Sequence, residues 1–184
     1  MAGFKFVGTE SQGDITGKVK QFTVTASHAG ILGPGDLVLI TAASADDGSP
    51  TVDVGTANTA NTGVVTGIIP NFSGEALSQT WIPATTAGKL LVNVDAFALY
   101  EADVSNGPLV AADVGLNVPA VVTAGTVSGS LFTSNMGVNA TGKATTPTLP
   151  FRVVALLEDA DGVLGNRALV RVNASTSNIG ATGI

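Results

Sequence analysis

The sequence predicts an all-β protein, an antiparallel sandwich or barrel of jelly-roll type, and three observations carry that prediction. Val, Thr, Ile and Phe are favoured over Glu, Lys, Gln and Arg, the balance expected of pleated, half-buried strands. Gly, Pro and Asn break the chain at short intervals, as turn residues do between strands. The apolar residues between these breaks either alternate or form runs of strand length, and no long stretch repeats at the helical period. Many short strands with regular turn signals indicate a sandwich or barrel and not alternating βα units.

Taken in order, "KVKQFTVTA" (Lys18 to Ala26) sets Phe22, Val24 and Ala26 on one face, with Val19 out of phase, so a bulge is expected near Lys20. "DLVLITA" after the "GPG" turn is a continuous apolar run, the pattern of a strand covered on both faces. "TVDVGTA" alternates Val52 with Val54, and "GVVTGII" (Gly63 to Ile69) reads as another buried strand. "GKLLVNVD" alternates Leu90, Val92 and Val94. "AFALYEA" (Ala96 to Ala102) either pairs with a neighbour or carries on after a bend at Asp95. In "GPLVAADVGLN", Pro108 can begin a helical turn and Gly115 can end it. "VPAVV", "TVSGSLFT", "LPFRVVALLE" and "NRALVRVN" follow as strands, the last setting Ala168, Val170 and Val172 against Arg167, Leu169 and Arg171. The total is about eight to ten strands.

Three parts are expected: an N-terminal arm over residues 1–14, one β-domain over 15–174, and a flexible tail over 175–184. Phe4, Phe6 and Val7 have no evident sheet partner, so the arm is expected to order against another subunit. "ADDGSPTVDVGTANTANTG", within the 43–62 region, reads as an exposed excursion open to contact with a host surface.

Composition excludes several functions. Charged residues make up 12% of the chain, about half the ~25% typical of soluble domains. The formal net charge is −6 with no basic cluster, so nucleic acid is not an expected partner. Mean hydropathy is +0.41, yet no apolar run approaches the ~20 residues of a membrane span, and no membrane partner is expected. The first residues lack the pattern of a secretory signal, so synthesis without export is expected. There is no Cys and one His, which leaves little for thiolate, zinc or triad chemistry. His28 reads as a polar loop residue.

The stretch most like an enzyme motif is "GVNATGKATTP", where Gly137, Gly142 and Lys143 match the spacing of a phosphate-cradling loop. The hydroxyl residue that should follow the Lys is Ala144, and Pro147 and Pro150 stand where the required helix would run. A polar loop is the better reading. "LEDADGVLGN" offers Glu158, Asp159 and Asp161 before Gly162 but lacks the downstream bidentate Glu of a calcium loop, so it reads as a hairpin turn. Asp95, Glu101, Asp103 and Asp113 are the carboxylates available to a glycosidase-type pair and read instead as rim residues of strand ends. Trp81 reads as a core or interface anchor. No catalytic, cofactor or metal residue is assigned, no enzyme activity is expected, and the candidate interface residues are Phe4, Phe6, Val7, Trp81 and Tyr100.

Across "WIPATTAGKLLVNVDAFALYEADVSNGPLVAADVGLNV" and "LPFRVVALLEDADGVLGNRALVRVNAS", with "GKVKQFTVTAS" ahead of them, the chain resembles the head decoration, or cement, proteins of tailed bacteriophages. The resemblance lies in the order of the "P-A-T-T-A-G-K" turn, the "D-x-x-x-x-Y-E" strand, the "A-A-D-V-G-L-N" turn and the two closing strands. It implies a β-rich protein on the outer capsid surface, a homodimer or homotrimer that clamps neighbouring major capsid subunits and carries no catalytic residues. Another virion component, such as a head-fibre base or tail protein, and a carbohydrate-binding β-module are the alternatives.

Overall fold

The computed structural model describes residues 3–10, 18–45, 47–69 and 80–173, with the side chains of 42 and 43 excepted. The expected 175–184 tail and the end of the expected arm lie outside these residues. Strands run in the order β1 (Lys5–Thr9), β2 (Val19–Val24), β3 (Leu37–Ser44), β4 (Pro50–Val54), β5 (Gly63–Ile69), β6 (Gly88–Asn93) and β7 (Ala98–Ser105). After a 3-10 turn at Ala111–Asp113 come β8 (Asn117–Val118), β9 (Ala120–Val121), β10 (Thr126–Ser128), β11 (Leu131–Thr133), β12 (Gly137–Asn139), β13 (Phe151–Glu158) and β14 (Leu164–Val172). The all-β class is thus the observed one.

Two assemblies share the chain. The first half forms a closed barrel in the order β2-β4-β3-β5-β6, with β6 returning to β2 and only β2 and β4 parallel. The second half forms a sheet in the order β8-β13-β14-β7-β12-β9, to which β1 adds by pairing with β7. Each has a core. Phe22, Val24, Leu32, Val38, Val52, Val65, Leu90 and Val92 fill the barrel, while Phe4, Tyr100, Val138, Phe151, Val153, Ala168 and Val170 pack on the sheet.

The two cores meet across β3 and β5. Successive residues of a strand point to opposite faces, so Leu37 and its cross-strand partner Val64 enter the sheet core, whereas Val38 and Val65 enter the barrel. This is why "DLVL" and "GVV" are unbroken apolar runs. In β6 only alternate residues, Leu90 and Val92, enter the barrel core, and β14 likewise buries Ala168, Val170 and Val172 while Arg167, Leu169 and Arg171 face outward.

Several expectations are corrected. The β2–β6 register is continuous, so Val19 projects outward without a bulge at Lys20, and Ala26 is exposed beyond the strand end. "TVSGSLFT" is not one strand but the β10–β11 hairpin turning at Gly129 and Ser130. The 43–62 region is no excursion: it contains β4, whose Val52 lies in the barrel core, and Asn61 ties its loop by accepting from Thr56 N and donating to Thr56 O. The helical turn begins at Ala111, later than Pro108.

The largest correction concerns the N-terminus. Lys5 pairs with Glu101 and Phe6 with Tyr100, so the arm is the first strand of the sheet of its own chain. Phe4 is 3% exposed, stacked on Phe151 with ring centroids 4.5 Å apart and edge-on to Tyr100. Phe6 also meets Tyr100 edge-on, with ring centroids 6.0 Å apart. The alternation of Phe4 and Phe6 with Lys5 was visible in sequence, but the partner surface is internal. Phe4→Ala is therefore expected to cost about 3 kcal/mol or more in urea unfolding of the isolated protein. An arm bound only to another subunit would leave that midpoint unchanged.

Candidate functional site

The phosphate-loop-like stretch is a strand followed by a tied loop. Gly137 to Asn139 is β12, pairing with β7 and β9, and Val138 is wholly buried. Ala144 exchanges backbone hydrogen bonds with Asn117 where a phosphate-loop helix would begin. Lys143 Nζ lies 2.6 Å from Asp113 Oδ2, and the Asp113 side chain is 6% exposed. The ammonium donor and the Val110 N–H hold the Asp113 carboxyl below its usual range. Lys143 is thus a structural cation that pins the 3-10 turn, not a free loop Lys.

Most of the other nominated groups are spent on structure in the same way, Glu158 and Asp161 excepted. Arg167 pairs with Glu101 and lies 3.8 Å from Asp103 across β14 and β7. Asp95 accepts from Phe97 N at the bend between β6 and β7. Asp159 caps the β13–β14 hairpin by accepting from Asp161 N, Val163 N and Asn166 Nδ2, and these donors lower its pKa. The Asp161-Gly162 pair therefore sits in a hairpin turn. His28 lies in a loop as expected but is fully buried, with Nδ1 donating to Thr25 O at 2.8 Å.

Among the candidate interface residues, Phe4 and Tyr100 are core residues and cannot meet a partner in this fold. Burial pushes the Tyr100 phenol up, with the Asp95 charge adding to the effect. Phe6 and Trp81 are half-buried, and Val7 is exposed. Four of the five candidates are large aromatic side chains, which are the first to be drawn inside.

Apart from Val7, the apolar surface that faces outward is built from other residues. Leu109 N bonds Gly165 O at 3.0 Å, bringing Val110, 53% exposed, beside Leu164, 55% exposed. That approach requires Gly165, since its φ is +89° and a Cβ there would land on Leu109 O. Val163 and Val114 are exposed near the same segment. A second apolar projection is the β10–β11 hairpin, where Leu131 is 66% exposed and Val127 also faces outward. Phe132 anchors this hairpin by lying against Gly33 and Gly125, with no room for a side chain at either.

A groove of about 260 Å³ opens on the outer face of the sheet, lined by Glu10, Val114, Gly115, Arg152, Val154 and Arg171 among others. Arg152 and Arg171 are register partners on β13 and β14. Each stands between buried neighbours, so both point outward. Arg171 is paired with Glu10. The outward phase of Arg171 was legible in "NRALVRVN", but its opposition to Arg152 depends on strand register, which the sequence does not print.

One buried titratable group sits where the two assemblies join. Asp36, wholly buried, accepts from Ser134 Oγ and from Gly33 N at 3.0 Å. Ser134 Oγ also receives Met136 N at 3.3 Å. Next to Asp36, Gly35 N donates to Val65 O while Gly35 O receives Phe4 N. Burial raises the Asp36 pKa to about 6, the two donors only partly offsetting it.

Two expectations follow. The folded protein retains the Asp36 proton up to about pH 6, and an unfolded Asp releases it near 3.8. The contribution of this group is therefore complete below 3.8 and is lost as pH rises through 6, about 3 kcal/mol in all at ~1.4 kcal/mol per pH unit. Asp36→Asn should flatten that part of the pH–stability curve and be more stable than the parent at pH 8 in urea unfolding. Lys143→Ala should cost about 1–2 kcal/mol at pH 7, between the values for exposed and buried pairs because Lys143 is one-third exposed. Asp113 has a lowered folded pKa, so its contribution is present above the unfolded value and is lost as pH falls through the folded one. Melting of the variant and parent should converge in strong acid. Compared with protein-family models, curated proteins and solved structures, the chain matches none.

Proposed function

We propose that this chain is a structural virion protein that binds the outer surface of a tailed-phage capsid and cements neighbouring major capsid subunits, acting as a homodimer or homotrimer. The observation that carries the reading is the outward apolar set. Nine large hydrophobic side chains stand exposed among the described residues, in a chain of which only 12% is charged. Surfaces of this composition suit burial against other protein, because obligate interfaces resemble a core divided in two.

The charged side chains of the motif-like stretches support the same reading by their occupation. Lys143, Arg167, Asp113 and Asp159 each hold two segments of the fold together. A rigid β framework with projecting apolar turns suits a clamp, which must transmit load between subunits without changing shape. The order of turns and strands that resembles phage decoration proteins supports the capsid as the partner.

Heads assembled without the protein are expected to release their DNA at a temperature several degrees lower than complete heads. Adding back purified protein should restore the higher value. Superimposable release curves with and without the protein would remove the cementing function. Sedimentation of the purified protein at micromolar concentration should give a dimer or trimer.

A further inference from the structure

We infer that the Arg152–Arg171 groove is one half of a head-to-tail contact between copies of this chain, and that its occupant is the acidic, apolar tip of the β13–β14 hairpin of a second copy. The inference rests on the oligomeric reading above and adds which surfaces meet.

The groove holds two arginines and only one carboxylate, Glu10. Two guanidinium groups directly opposite on neighbouring strands repel one another, and Arg152 and Arg171 are such a pair. Of the three arginines in the chain, Arg167 lies on Glu101 and Asp103, and Arg171 lies on Glu10. Arg152 is exposed and has no ion pair among the described residues. It lies beside Gly115, where a Cβ would still be 3.8 Å from its Nη2, so nothing at that position covers it. An arginine fork left open in this way suits a carboxylate, which it can engage through two parallel hydrogen bonds. Exposed Val114 supplies apolar area beside it.

The complementary surface is on the same molecule. Glu158 and Asp161 are exposed and make no side-chain hydrogen bond or ion pair among the described residues, whereas Asp159 between them is consumed by the loop. Val163 and Leu164 are exposed immediately after them. One end of the β13–β14 hairpin therefore offers two carboxylates with two apolar side chains, and the other end offers the open guanidinium of Arg152 with one, Arg171 beside it being engaged by Glu10. A surface complementary to a different part of the same chain makes a heterologous contact, which closes into a ring when the rotation per copy allows.

The test uses the full chain in two variants, Arg152→Glu and the double substitution Glu158→Lys with Asp161→Lys, each first checked for unchanged melting. Sedimentation equilibrium should show each variant alone associating at least tenfold more weakly than the parent. An equimolar mixture should regain association, because each tip then meets a groove of opposite charge, and a folding defect would not be rescued in this way. A parent protein that associates normally while neither variant changes the constant overturns the inference and leaves the oligomeric reading intact. A monomeric parent defeats the oligomeric reading itself. If Arg152→Glu lowers the melting temperature and leaves self-association unchanged, Arg152 is held within its own chain and the inference fails. If Arg152→Glu weakens attachment to heads but leaves self-association unchanged, the occupant is a capsid carboxylate and the inference likewise fails.

Discussion

The fold depends on one wall with two working faces. Leu37 and Val64 are paired across β3 and β5 and enter one core, while Val38 and Val65 enter the other. Neither strand can shift by one residue without sending its apolar side chains into the wrong core, so the register of the barrel and the seating of the sheet are set together. The wall is also pinned at its corner. Gly63 sits where a Cβ would strike Asn93 O, and Leu37 N bonds to the Met136 sulfur from the far assembly. The Gly33 to Asp36 corner gathers hydrogen bonds from β5, the N-terminal segment and the chain leading to β12. Damage there would be felt by both cores.

The sequence made the strands legible wherever burial has a simple period. In β6 and β14 the alternation is clean, and in β3 and β5 the unbroken apolar runs mark a strand covered on both sides. It was misleading where short strands occur with little periodic content. β12 has three residues inside a stretch that mimics a nucleotide motif, and β10 and β11 looked like one strand because Gly129 and Ser130 form a turn within a run of strand-forming residues. The N-terminal segment failed for a different reason. Its apolar alternation was readable, but its partner β7 lies some ninety residues away in the chain, and no local pattern reports a pairing of that range.

The candidate surface was legible in a negative sense. Low charge implied apolar area needing cover, but not which residues provide it. The aromatics nominated from their size are largely internal, since Tyr100 and Phe4 each bury more area than any single Val or Leu could. What faces outward is mostly Val and Leu, with Phe97, and the exposure of Val110 beside Leu164 follows from a tertiary approach, Leu109 against Gly165, and not from spacing. The ion pairs were hidden for the same reason. Lys143 and Asp113 are thirty residues apart, and Glu10 and Arg171 are separated by nearly the whole described chain.

The placement of β1 has a consequence for the order of folding. This strand is made first, yet its hydrogen-bonding partner β7 and the ring that covers Phe4, Phe151, come from the middle and the far end of the chain. During synthesis Phe4 and Phe6 must wait unpaired while the barrel strands β2 to β6 emerge and find one another. Closure of long-range pairings is slow because the loop entropy is lost before the contacts form. The β1 strand therefore has its full set of partners only once the β13–β14 hairpin is available, which places its locking late in folding.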